Sequence, residues 1–239
     1  MLETFLEIFS WATVVITISL SIPQLYKLLR EKETKKVNFY SFWIFHLGIL
    51  LWCLFGVLTE QSNPWKLQNI VIADGISLLL NGVMTYLLYH YKFKPNNDPK
   101  FLIKRLGAAA GVIATWIVGI IFTILYYKIP TMRISAQANV VFSLVAPGFT
   151  TFSFAPQLYT SIKTKNWKGV SPMMFALFEV NNLAWITFWI LSMVKYGSTP
   201  ELIGGLIWQC ISLALYGFQL YKTFEDVYKN KEAMPNFQA

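Results

Sequence analysis

Long apolar runs alternate with short polar, mostly basic loops along nearly the whole chain. An α-helix needs roughly 20 apolar residues to cross a bilayer core. Seven runs approach that length, near residues 5–28, 39–58, 67–91, 102–126, 138–162, 173–194 and 202–224. The pattern predicts an all-α integral membrane protein with seven transmembrane helices. The first run opens among Glu3 and Glu7, not among basic residues, and continues through Pro23. It therefore reads as a retained span and not as a cleaved signal peptide.

Two of the runs end on the same tetrapeptide, Pro-Gln-Leu-Tyr, at 23–26 and 156–159. Shifting the chain by 133 lays 23–58 over 156–191 with 13 identities in 36 positions, among them Lys32, Phe42, Phe45 and Trp52. A shift of 135 lays 72–86 over 207–221 with 7 identities in 15. The chain is thus predicted to hold two three-helix repeats, 5–93 and 138–225, a linker helix over 101–127 that matches neither, and a tail over 226–239. The single extra span makes the two repeats parallel, related by an axis along the membrane normal. Duplicated hydrophobic units of this kind typify transporters, with the solute between the copies.

The loops carry the charge. Sixteen Lys and Arg residues fall after spans one, three and five and in the tail, against four on the other side: Lys66, Lys128, Arg133 and Lys195. The positive-inside rule then places the N-terminus outside and the C-terminus in the cytosol. The composition, 55% hydrophobic and 13% charged, excludes a soluble domain. The net charge of +8 belongs to membrane loops, so nucleic acid is not an expected partner; the lipid bilayer and a small-molecule solute are. Whether copies form a homo-oligomer is left open. Cys53 and Cys210 both fall inside apolar runs and form no metal spacing. No nucleotide loop, zinc cluster or nucleophile elbow is present, so neither an enzyme nor a cofactor is expected.

The candidate chemistry lies at paired positions. Proline removes a backbone N–H and clashes with the preceding turn, so Pro23 and Pro156 should bend their helices. Gln24 and Gln157 are placed to bond carbonyls freed by the bend. A paired hinge and a static kink both fit. Trp52 pairs with Trp185 at mid-span, where an aromatic face can stack on a solute; a tryptophan of the interfacial belt is the alternative. Asp74 pairs with Gln209. An ionisable residue inside a span is costly and marks a pathway or a proton relay, unless it is held neutral against a neighbouring helix. His46 pairs with Glu179, as a gate, a proton couple or a structural pair. Of the adjacent Asn181 and Asn182, at least one should face inward; Asn81 is a weaker candidate.

The paired Pro-Gln motifs, the repeat and the three-plus-one-plus-three layout resemble the PQ-loop superfamily over about residues 5–225. That superfamily includes SWEET sugar transporters, bacterial SemiSWEETs and cystinosin-type lysosomal transporters. The segment Leu51-Trp52-Cys53-Leu54-Phe55-Gly56 resembles the SWEET pattern whose tryptophan borders the sugar pocket, while the second copy has Trp189 where the pattern has glycine. The resemblance implies alternating access on a small polar solute, a sugar first. Where SWEETs carry asparagine, some ten residues past the loop proline (Pro64 and Pro200 here), this chain has Asp74 and Gln209. A carboxyl there suits proton coupling, or an amino acid or other nitrogenous solute, as in the cystinosin-like branch. A receptor of SWEET-like fold without transport, as in KDEL receptors, is a further alternative; it would need a cluster of inward arginines within the spans, which this chain lacks.

Overall fold

The computed structural model describes residues 1–34, 37–59, 65–93, 99–167 and 170–229. The loop proline Pro64, loop lysines such as Lys35 and Lys168, and the tail from residue 230 onward lie outside them. Among the described residues, seven stretches are long and apolar enough to cross a membrane, and the chain is an integral membrane protein. Large apolar side chains such as Ile113, Ile117 and Ile124 are exposed while Asn, Ser and Thr are buried. That inversion of a soluble core is expected where lipid is the solvent.

The first span is broken into α1 (Leu2–Ser19) and α2 (Ile22–Glu31). The fifth is broken likewise into α6 (Ala136–Phe152) and α7 (Ala155–Thr164). The breaks have one cause. A proline ring collides with the carbonyl four residues earlier; for Pro23 and Pro156 those residues are Ser19 and Phe152, where α1 and α6 stop. Each proline then sits in the first turn of the following helix, where its missing N–H costs nothing. Both short helices end on a lysine in the left-handed conformation, Lys32 at φ 52° and Lys165 at φ 49°. These are equivalent positions of the two repeats, so the chain leaves each bend through the same turn.

The remaining spans are α3 (Phe39–Leu58), α4 (Gln68–Lys92), α5 (Pro99–Lys128), α8 (Pro172–Tyr196) and α9 (Pro200–Lys229). Within the first repeat α4 packs between α1 and α3; within the second, α9 packs between α6 and α8. Between the repeats α1 packs on α8 and α3 on α6, two interfaces exchanged by the internal symmetry. Gly48 lets α3 and α6 approach closely, since a Cβ there would lie 2.7 Å from Thr150 Cγ2.

The linker helix α5 is not shared equally. Among the described residues its extensive packing is on α3 and α4, with Trp116 seated where Gly82 has no side chain and its Nε1 donating to the Leu78 carbonyl at 3.0 Å. The two repeats are therefore alike in their triple-helix plan and unlike in their surroundings.

Candidate functional site

Between the two repeats lies a cavity of about 640 Å³, measured to its open mouth. Its walls come from both copies in register: Thr17 and Thr150, Phe45 and Phe178, Trp52 and Trp185, Asp74 and Gln209, Ser77 and Ser212. The tryptophans do more than line it. Trp52 Nε1 donates to Thr150 Oγ1 at 3.0 Å, and Trp185 Nε1 donates to Thr17 Oγ1 at 3.0 Å. Each tryptophan thus bonds the first span of the opposite repeat. A lipid-belt tryptophan would face outward; these are fixed across the interface.

The walls differ in their polar groups. On the second-repeat side, Asn181 Oδ1 accepts from Thr17 Oγ1 at 2.8 Å, and Asn182 Oδ1 accepts from Gln209 Nε2 at 2.9 Å. Both asparagines line the cavity, so the adjacent polar pair is absorbed on one side. On the first-repeat side Asp74 is buried, yet among the described residues no cation or hydrogen-bond donor engages its carboxyl. The lining contains no Lys, Arg or His. A buried carboxyl facing an open cavity without a partner leaves its bonding capacity for whatever enters.

Trp189, read in the sequence only as a lost glycine, also lines the cavity. It stacks on Trp185 at 5.5 Å and on Trp52 at 6.3 Å. The space it needs comes from an exchange of sizes. In the first repeat Gly56 lies against Ile70; at the equivalent places of the second, Trp189 lies against Gly205. Aromatic clusters flank the cavity. Phe45, Phe154, Phe178 and Tyr216 lie towards the bends, and Phe55 stacks on Phe142 towards the other end.

The Pro-Gln motifs lie at the bend end, and their glutamines act differently from expectation. Gln24 Oε1 accepts from the Ser171 backbone N–H at 2.8 Å, and Gln157 Oε1 accepts from that of Asn38 at 2.8 Å. Ser171 and Asn38 are equivalent residues, the N-caps of α8 and α3. Each glutamine therefore ties its own bend to the second span of the other repeat; it does not satisfy a carbonyl freed by the proline.

His46 and Glu179 are not brought together. His46 is fully buried inside the first bundle, with Nδ1 3.2 Å from Asn81 Oδ1 and Nε2 2.7 Å from Thr115 Oγ1 of α5. Asn81 in turn donates to Ser21 Oγ at 3.4 Å, a serine that lines the cavity. Glu179 packs against Gly217 of α9 in the second bundle. Neither borders the cavity. Six residues separate each from its tryptophan, which turns it some 120° away around the helix. Thr17, Thr150, Tyr216 and the phenylalanines were not singled out from sequence. Thr17 and Thr150 were findable, because the shift of 133 pairs them six residues before each proline.

A curated relative, the sugar transporter SemiSWEET of Escherichia coli (strain UMEA 3162-1), is 42% identical over 48 residues, 20% of this chain and 54% of the relative. The chain thus spans about half the length of that relative. No solved structure matches it significantly. The model of the PQ-loop repeat matches residues 5–65 and again 138–195. Both matches cover the bent span and the tryptophan-bearing span after it and leave α5 aside, so the chain belongs to the PQ-loop repeat family, with two copies of the repeat in one polypeptide.

Proposed function

We propose that this chain is a transporter that moves a small polar solute, a sugar first, by alternating access of the cavity to the two sides of the membrane. The observation that carries the reading is the symmetric pair of tryptophans, each bonded across the interface to the other repeat. Two aromatic faces held on either side of a pseudo-two-fold axis suit the apolar faces of a sugar ring, and the amide wall suits its hydroxyls. The likeness to SemiSWEET, a sugar transporter, supports the same substrate class. Pro23 and Pro156 are the hinges, and the Gln24 and Gln157 bonds hold the bend end closed. Neither His46 nor Glu179 forms a gate in this reading; His46 reaches the cavity only through Asn81 and Ser21.

Asp74 favours a second reading, a nitrogenous solute whose ammonium would meet the unpartnered carboxyl. Uptake of labelled sugars and amines by the purified chain in liposomes separates the two. Uptake of amines with no uptake of neutral sugars would replace the first reading by the second, and uptake of neither class would remove both.

The tryptophans supply a sharper test. Trp52→Ala and Trp185→Ala should each weaken solute binding by about 1–2 kcal/mol, roughly 5- to 30-fold, while the protein still inserts. Trp185→Phe keeps an aromatic face and loses the bond to Thr17, so it should bind better than Trp185→Ala. Binding of wild-type strength in both alanine variants would place the solute elsewhere.

The orientation proposed is N-terminus outside and C-terminus in the cytosol, which puts the bends on the cytosolic side. A tag at residue 1 should be protease-accessible on intact cells and a tag at residue 239 only after permeabilisation. The reverse result would invert the gate assignment.

A further inference from the structure

A second, smaller cavity lies under the α7 bend, inside the second repeat. It is lined by Gln157, Ser161, Trp167, Phe175, Gln219 and Thr223 among others. The equivalent place in the first repeat is filled differently. The residues equivalent to Ser161, Gln219 and Thr223 are Leu28, Met84 and Leu88, all packed in the aliphatic and aromatic core. Replacing a leucine by a serine at Ser161 removes the carbons that fill this place in the first repeat. The same three exchanges turn an apolar base into a polar one.

The polar groups here are fixed. Gln219 Nε2 donates to the Phe154 carbonyl at 3.3 Å, which sets the amide so that Oε1 faces away from that carbonyl. That Oε1 is buried with no partner, on a side chain only 3% exposed. Ser161 Oγ accepts from Gln157 Nε2 at 3.3 Å, leaving its hydrogen to donate. Thr223 Oγ1 donates to the Gln219 carbonyl at 2.8 Å, leaving its lone pairs free. A buried acceptor without a partner bears the full cost of its lost hydration, so a stable fold supplies one.

We propose that this cavity is a site for an ordered water molecule. The water donates to Gln219 Oε1 and Thr223 Oγ1 and accepts from the Ser161 hydroxyl, within the two to four bonds that buried waters make. Its place matters because Gln157, whose Oε1 bonds Asn38 of the first repeat, also bonds Ser161 at the cavity wall. The second bend thus stands on a hydrogen-bonded water and the first on packed hydrocarbon. Water can exchange partners as α7 tilts, whereas the Leu28, Met84 and Leu88 packing must open a void. The α7 bend is the softer of the two.

Hydroxyl radicals generated by a synchrotron X-ray pulse oxidise side chains beside bound water, even when those side chains are buried. Phe175 lines the cavity and Phe42 is its equivalent in the first repeat; both are buried, at 3% and 0% exposure. In the purified wild-type chain, oxidation read residue by residue should appear at Phe175 and be absent at Phe42. Ser161→Leu fills the cavity with the first-repeat residue and should abolish labelling at Phe175. Equal absence of labelling at Phe175 and Phe42 in the wild type would overturn the water site, without recourse to any variant. Labelling that persists in a folded Ser161→Leu chain would overturn it as well.

Discussion

Asp74→Asn is expected to reduce accumulation driven by a pH gradient to the level of protein-free liposomes, while exchange between two solute-filled compartments continues. Asp74 lines the cavity with no partner from the described residues, and its equivalent in the other repeat is the neutral Gln209. If it carries a coupling proton, it must gain and lose that proton once per cycle. An asparagine has nearly the same shape and stays neutral, so it mimics only the protonated form. Exchange does not require the empty, deprotonated carrier to return, so it survives; net uptake does require that return, so it fails. Uptake with and without an imposed gradient, in wild type and variant, reads the outcome. Wild-type uptake that ignores the gradient would leave Asp74 as a hydrogen-bonding group for the solute.

The second large effect concerns the cross-repeat glutamines. Replacing both Gln24 and Gln157 by leucine removes two acceptors from the Ser171 and Asn38 N–H groups and keeps side-chain bulk. A buried hydrogen bond contributes about 1 kcal/mol, so losing two shifts the balance between closed and open bend ends by roughly 2 kcal/mol, or about 30-fold. The sign follows from the geometry, because the bonds join the repeats only while the bend end is shut. With Cys53 and Cys210 replaced by alanine, a cysteine introduced at Ser21 reports on this equilibrium, since Ser21 lines the cavity on the bend side. Alkylation by a membrane-impermeant reagent from that side should accelerate by a similar factor in the double variant. An unchanged rate would show that the glutamines only support the local backbone.

Much of this molecule can be read without coordinates. Apolar length alone identifies seven spans, because a lipid solvent imposes a length and forbids unpaired backbone. The internal repeat tells which residues are equivalent, so Trp52 with Trp185 and Asp74 with Gln209 could be paired by counting. Equivalence says nothing about direction, however. His46 and Glu179 are as well matched in sequence as the tryptophans, yet each turns away from the axis into its own bundle. Counting six residues on a helix would have exposed that; the pairing by itself did not. Phe45 and Phe178, seven residues before the tryptophans and so close to two full turns, share their face and line the cavity.

The packing of the helices in space sets which groups meet across the two repeats. The backbone N–H of Ser171 lies 147 residues from Gln24, and that of Asn38 lies 119 from Gln157. No local rule joins them, so from sequence the glutamines could be assigned only to their own bends. The Trp–Thr bonds, the exchange of Gly56 and Ile70 for Trp189 and Gly205, and the docking of α5 mainly on the first repeat belong to the same class. Sequence pattern fixes each helix and its period, because those depend on neighbours along the chain. The partners of a buried polar side chain depend on how helices are arranged in space, and there the demand that every buried donor find an acceptor selects the pairs.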